Sequence, residues 1–401
     1  MKELAGTLHR LRRAHRYRSR RVLDGAQGPE IAMAGRRWLN FCSNDYLGLA
    51  ADARVVAALR DGAARFGAGS GAAHLVCGHG AAHHRLEEML ADFTGRQRAL
   101  LFSTGYMANL GVISALAGRG DDLLADRLCH ASLLDGALLS RARLRRYPHL
   151  DAAALDEALA RDGAGRIRLV ITEGVFSMDG DMAPLAKIAR QCRARDTWLM
   201  VDDAHGLGVL GPRGGGTTAH FGLSPQDVPV LVGTLGKALG TAGAFVAGDE
   251  DLVEYLIQHA RTYLYTTALP PAVAHATCTS LTLARDEHWR RDRLQALCRR
   301  FLHGARQLDL SLPPALQAEP AGENDPPLVP IFPLLAGEDA RALRWSEALA
   351  RRGILVTAIR PPTVPEGSAR LRITLSAAHH EEHVDRLLDS LAQLGRSLHE
   401  S

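Results

Sequence analysis

The sequence predicts an α/β protein with a mostly parallel sheet in a large domain and a smaller α+β domain at its C-terminal end. Three observations predict it. From Ala99 onward, short apolar runs alternate with helical stretches, the pattern of a parallel sheet covered on both faces. After about Pro271 the alternation gives way to long helices and then to a mixed segment of strands and helices behind a Pro/Gly-rich stretch. The length, 401 residues, also exceeds what one simple core holds. We therefore expect an N-terminal helix and arm over 1–48, a large domain over 49–284 and a C-terminal α+β domain over 285–401.

The elements follow in order. Leu4, Leu8 and Leu11 space a helix to about Arg16, after which the chain extends through Gly25–Pro29. Arg37–Asn44 reads as a short strand ending in a turn at Asn44–Leu49, and Asp52 caps a helix from Ala53 to about Phe66. Helix His83–Thr94, strand Ala99–Phe102, helix Tyr106–Ala117, strand Asp122–Ala125 and helix Ser132–Leu139 come next. Strand Arg168–Thr172, helix Leu185–Arg193 and strands Trp198–Val201 and Val230–Val232 complete the large sheet. Helices Ala272–Leu283 and Asp286–Leu308 lead to the Pro/Gly-rich 312–330. Strand Leu328–Pro333, helix Ala340–Arg351, strands Leu355–Ile359 and Arg370–Leu375, and helix Glu381–Leu398 make the smaller domain.

Composition excludes several function classes. No apolar run approaches the ~20 residues of a membrane span, and the N-terminus lacks the apolar core of a secretory signal, so a cytoplasmic protein without a membrane role is expected. Six single cysteines without Cys-x-x-Cys predict reduced thiols and no zinc site. The net charge of +4 is small, and the arginine cluster from Arg10 to Arg21 has no interleaved aromatic beyond Tyr17, so nucleic acid is not an expected partner. Gly67–Gly71 with Ala72 follows a helix rather than a strand, which argues against dinucleotide binding. His84 and Glu88 at i,i+4 have no third ligand in view and read as a polar stripe.

In a parallel sheet, ligands bind beyond the carboxyl ends of the strands. Lys237 leaves the Val228–Gly233 run within Thr234-Leu-Gly-Lys-Ala-Leu-Gly240. A P-loop would need Gly at Leu231 and Ser or Thr at Ala238, and both fail. Small and apolar neighbours disfavour the charged amine and make it a better nucleophile, while Gly236 and Gly240 would let a bulky cofactor approach; a surface lysine in a Gly-containing loop is the alternative. Ser103-Thr-Gly-Tyr106 opens a helix whose free amides favour a phosphate, with a simple cap as the alternative. Asp126–Ser132 brings His130 to the same edge, and Thr172–Asp181 brings acids, glycines and Ser177. In Val201-Asp-Asp-Ala-His-Gly206, an acid leaving a buried strand needs a cationic partner, so Asp202 or Asp203 faces one. An activated lysine, a phosphate cradle, a buried acid and an imidazole are together what pyridoxal phosphate demands.

Six segments carry a resemblance: Ser43–Leu49, Phe102–Tyr106, His130–Asp135, Thr172–Asp181, Val201–Gly206 and Thr234–Lys237. By them the chain resembles the α-oxoamine synthases, fold-type-I (aspartate-aminotransferase-like) pyridoxal-phosphate transferases that condense an amino acid with an acyl thioester and lose carbon dioxide. Ala358–Pro365 followed by Arg370-Leu-Arg-Ile-Thr points to members that use L-alanine and a pimeloyl thioester on coenzyme A or acyl carrier protein. Members that use glycine are the alternative.

The resemblance implies that Lys237 anchors the cofactor and handles the substrate α-proton. It implies that Asp202 pairs with the pyridinium nitrogen, His205 donates to the ring hydroxyl and His130 stacks on the ring. Gly105 and Tyr106 would offer backbone amides, and Ser177 and Thr234 would hold ring and phosphate oxygens. Thr267 would reach the phosphate from the other subunit of a homodimer. Arg372 would clamp the amino-acid carboxylate, with Arg18 and Thr363 at substrate-contact positions; a small shift would bring Arg16, Arg20 or Arg21 to the place of Arg18. Ala73-His74 stands where Ser-Arg is frequent in the family, and Ala238 where Gly is frequent.

Overall fold

The computed structural model describes residues 3–161, 168–317 and 327–399. The chain divides into two compact units, a smaller one within Met1–Gly48, Met178–Gly180 and Trp289–Ser401, and a larger one within Leu49–Ser177 and Asp181–His288. The smaller unit opens with strands β1 (Glu30–Met33) and β2 (Arg36–Asn40), joined as an antiparallel pair.

In the larger unit, β3 (Arg98–Phe102), β4 (Asp122–Asp126), β5 (Arg143–Tyr147), β6 (Arg168–Glu173), β7 (Trp198–Asp202), β8 (Val230–Thr234) and β9 (Ala244–Gly248) form one sheet. Its order is β3-β9-β8-β7-β6-β4-β5, and β9 alone among the seven runs against its neighbours. Side chains alternate faces along each strand, so both faces are apolar. Leu123, Ile171, Met200 and Val232 pack on one face with Ala108, Val112 and Leu133 from the helices Gly105–Leu116 and Ala131–Ser140. Leu124, Val170, Val201 and Leu231 pack on the other with Leu155, Leu185 and Ile188.

Strands β5 and β9 and helices Ala152–Ala160 and Glu250–His259 of this unit escaped the pattern, as did the short helices Gly216–His220 and Arg261–Leu264. β5 is Arg-Leu-Arg-Arg-Tyr, polar because it is a sheet edge, and Arg143 forms a two-point ion pair with buried Asp122 at 2.6 and 2.8 Å.

In the smaller unit, β10 (Ile331–Gly337), β11 (Ile354–Leu355), β12 (Thr357–Ile359) and β13 (Ala369–Thr374) complete the strands. β10 and β12 flank β13 antiparallel, while β11 lies parallel on β2. The single strand expected over Leu355–Ile359 is therefore two strands in two sheets. Val356 is the joint, its carbonyl accepting from Ser346 Oγ at 2.6 Å. The strand expected from Leu328 begins at Ile331, and 318–326 of the Pro/Gly-rich stretch lie outside the described residues.

The N-terminal helix is Leu4–Arg13, and none of its residues is buried. All six cysteines are free, with Cys129, Cys192 and Cys298 buried and Cys77 exposed. Among the described residues no helix is long and apolar enough to cross a membrane.

Candidate active site

β3, β4, β6, β7 and β8 run the same way, so their carboxyl ends share one edge of the large sheet. Asp202 ends β7 on the same face as Met200, two residues before it, and so meets the helices that cover that face. Asn109 Nδ2, from helix Gly105–Leu116, donates to Asp202 Oδ2 at 2.7 Å and lies 2.9 Å from Ser132 Oγ. The Ala204 amide donates to Asp202 Oδ1 at 3.1 Å. Asn109 and Ser132 are each 1% exposed, so the carboxylate is held from a dry side. It forms no ion pair with a described residue.

Asp203 points into a different environment. Fully buried, it accepts from the Thr217 amide at 2.7 Å and the Thr217 hydroxyl at 2.9 Å. A Cβ on Gly216, whose φ is +88°, would stand 2.0 Å from its Oδ2. Burial pushes Asp203 up to about 7 despite those donors. It is the internal tie of the loop after β7, and it too lacks an ion pair with a described residue. The cationic partner expected for one of these two acids is not a side chain among the described residues.

Glu173 ends β6 beside Asp202 in the parallel register. It was expected among loop residues, yet it is a strand residue and only 4% exposed. Burial, reinforced by the negative charge of Asp202, pushes it up to about 8. Its Oε1 accepts from the His130 amide at 2.6 Å, which fixes the start of helix Ala131–Ser140. His130 Nδ1 in turn accepts from the Ser132 amide at 3.2 Å, capping that helix. The His130 ring stays exposed, stands edge-on to Tyr106 at 6.5 Å, and is held below the ordinary imidazole range by loss of solvation.

Lys237, half-buried in the turn leaving β8, has its Nζ 2.8 Å from Nε2 of buried His205. The turn closes through the Gly240 amide on the Lys237 carbonyl at 2.9 Å. Gly240 corrects one expectation: its φ is +62° and a Cβ there would lie 2.4 Å from the Ala50 amide nitrogen, so the backbone of Leu49–Ala50, rather than a cofactor, requires glycine. Thr234 Oγ1 donates to the Gly243 carbonyl at 3.2 Å.

Thr104 caps helix Gly105–Leu116 by accepting from the Met107 amide at 3.2 Å. No described acceptor meets the Gly105 and Tyr106 amides, and a Cβ on Gly105 would meet nothing within 4 Å. Ser177 is half-buried in the loop after β6. That loop is pinned by His149, which bridges Asp126 Oδ1 at 2.9 Å and Asp181 Oδ2 at 3.0 Å. Thr267 is exposed, its backbone bridging Ala73 and its carbonyl accepting from Ser103 Oγ at 3.4 Å.

The remaining predicted residues belong to the smaller unit. Arg372, on β13, is 7% exposed and donates to Asn44 Oδ1 at 3.1 Å and Tyr46 Oη at 3.5 Å. Arg18 Nη2 donates to Thr363 Oγ1 at 3.3 Å, which joins two predicted substrate-contact residues. Arg16 is engaged elsewhere, by Asp339 and Glu366 at 3.0 Å each.

Asn109, Ser132 and Glu173 are the site residues the sequence reading missed. Helical spacing would have found the first, since Asn109 lies inside the otherwise apolar Ala108–Ile113 run, where a buried amide needs a polar partner.

A Schiff-base-competent amine beside an imidazole, a buried carboxylate awaiting a cation and two open amides at a helix start fit pyridoxal phosphate. The comparisons agree with that cofactor. The aminotransferase class I and II family matches residues 36–391. The 8-amino-7-oxononanoate synthase of Pseudomonas putida is 59% identical over 391 residues, 98% of this chain and 97% of that protein. The protein of the same name from Methylococcus capsulatus is 61% identical over 388 residues, 97% of each. Serine palmitoyltransferase from S. paucimobilis, solved with a bound PLP–myriocin aldimine, superposes with a TM-score of 0.92 at 30% identity, covering 100% of this chain and 98% of that one. The crystal structure of 8-amino-7-oxononanoate synthase from Francisella tularensis gives 0.76 at 32% identity, covering 90% and 99%. The chain belongs to the aminotransferase class I and II family, in its α-oxoamine synthase branch.

Proposed function

We propose that the protein condenses L-alanine with a pimeloyl thioester, on coenzyme A or acyl carrier protein, to 8-amino-7-oxononanoate, carbon dioxide and the free thiol, a step of biotin biosynthesis. The observation that carries the chemistry is Lys237 Nζ at 2.8 Å from His205 Nε2, on the sheet edge that also holds buried Asp202. Identities of 59% and 61% over nearly the whole chain support this member rather than a glycine-using one.

Pyridoxal phosphate, when bound, supplies an electron sink for negative charge at the amino-acid α-carbon. Lys237 would hold it covalently through Nζ and, as a free amine, would take and give back the proton at the amino-acid α-carbon. Asp202, steadied by Asn109, would keep a proton on the ring nitrogen. His205 would donate to its ring hydroxyl, and His130 would stack on the ring. The Gly105 and Tyr106 amides, Ser177 and Thr234 hold phosphate and ring oxygens, and Thr267 of the partner in a cytoplasmic homodimer adds a phosphate contact. Arg372 takes the alanine carboxylate with two parallel donors, which orients the α-carbon bonds. Arg18 and Thr363 contact the acyl substrate.

The test is to identify by mass the product formed from each amino acid and thioester. L-Alanine with the pimeloyl donor should yield the aminoketone with loss of carbon dioxide. Turnover with glycine and an acetyl or succinyl thioester, and none with alanine, would overturn the choice.

A further inference from the structure

The π-helical turn His74–Gly78 and the start of helix Ala81–Thr94 gather His74, His79, His83, His84 and Glu87 into one cluster. One donor atom from each of His79, His84 and Glu87 lies within 4.8 Å of the other two. We propose that these three residues form a binding site for a divalent transition metal of the zinc class, with water completing the coordination.

Two imidazoles and a carboxylate are a donor set that suits zinc or cobalt. Metal–nitrogen bonds of about 2.0–2.1 Å put tetrahedral ligands about 3.3 Å apart, so the donors need to close by at most about 1.5 Å. His79 Nε2 and Glu87 Oε2 already stand 3.8 Å apart. Exposed His84 already stands edge-on to His79, with ring centroids 6.0 Å apart, and its Nε2 lies 3.6 Å from Glu88.

Two of the ligands are oriented from behind, as metal ligands are. His79 Nδ1 lies 3.0 Å from His74 Nδ1. A His79 that donates through Nδ1 keeps a lone pair on Nε2, which is the tautomer a metal needs. Glu87 Oε1 accepts from the Leu101 amide at 2.9 Å, leaving Oε2 for the ion. His83 is not a ligand: its Nδ1 accepts from the Gly80 amide at 3.0 Å and its Nε2 meets the Leu269 carbonyl at 2.5 Å. A cavity of about 490 Å³, bordered by His79, His84, Glu87 and Tyr263, has room for the ion and its water.

A bound ion would staple the π-helical turn to the following helix. The same turn begins beside Ala73, whose backbone bridges Thr267.

The experiment strips the cofactor-loaded enzyme with a chelator, exchanges the buffer, and titrates it with Co²⁺ followed by optical absorption and with Zn²⁺ followed by calorimetry. One ion per chain should bind, with a cobalt ligand-field band that Zn²⁺ abolishes. His84→Gln should weaken binding at least tenfold without unfolding the protein, since His84 is exposed, and Glu87→Gln should do the same. His259→Gln, an exposed histidine outside the cluster, should bind like the parent. Absence of a saturable cobalt band, or a His84→Gln protein that binds as tightly as the parent, would overturn the proposal.

Discussion

Asn109→Ala removes the side chain that donates to Asp202 Oδ2 at 2.7 Å from a position 1% exposed. A hydrogen bond to a charged group contributes about 1.5–3 kcal/mol. If that bond holds Asp202 in place for the cofactor's ring nitrogen, its loss should weaken cofactor affinity about 10–100-fold, at about 1.4 kcal/mol per decade. Folding should suffer less, because the substitution also deletes Asn109 Oδ1, a buried acceptor without a partner among the described residues. The assay is titration of apoprotein with pyridoxal phosphate, followed by absorbance, beside a urea unfolding curve for each protein. An affinity within about threefold of the parent, in a variant with an unchanged unfolding midpoint, would refute the positioning role.

Two further outcomes follow from buried charges. His149→Ala leaves Asp126, which is 1% exposed, and Asp181 without the imidazole that bridges them, and should cost about 3 kcal/mol in urea unfolding; a loss below about 1 kcal/mol would mean the bridge is not structural. Stability of the apoprotein should fall between pH 6.5 and 8. Burial, helped by Asp202, raises Glu173 to about 8, so the folded chain keeps a proton that the unfolded chain has already released, and stability drops as pH rises toward 8. Burial opposes a charged His149, but hydrogen bonds to Asp126 and Asp181 push it up to about 10. Its contribution is complete below about 6.5 and declines toward 10, the same sign in this window. A urea midpoint that rises from pH 6.5 to 8 would contradict both assignments.

Apolar alternation made the central strands legible, because strands buried on both faces have little freedom of composition. β5 was not legible, since its arginines answer to an edge and to Asp122, which only the fold supplies. β9 carried a signal, an apolar run between Gly243 and Gly248, but four residues of Ala, Phe and Val do not fix strand over helix. The joint at Val356 depends on which sheet each half meets, information absent from local sequence.

At the site, residues just after strands were readable because topology sends them all to one edge. Asn109 and Glu173 were harder. One sits mid-helix and the other inside a strand, and each acquires meaning only from the neighbour that the fold brings to it. Gly240 shows the reverse error, a glycine read as space for a ligand that serves its own backbone.

The central claim is that Lys237 carries the cofactor. The chain has three lysines, Lys2, Lys187 and Lys237, and Lys187 is exposed on helix Leu185–Arg193. Reduction of the cofactor-loaded protein with borohydride, followed by proteolysis and mass spectrometry, should find the pyridoxyl label on the peptide containing Lys237 and on no other. Label on Lys187, or none on Lys237, would contradict the account.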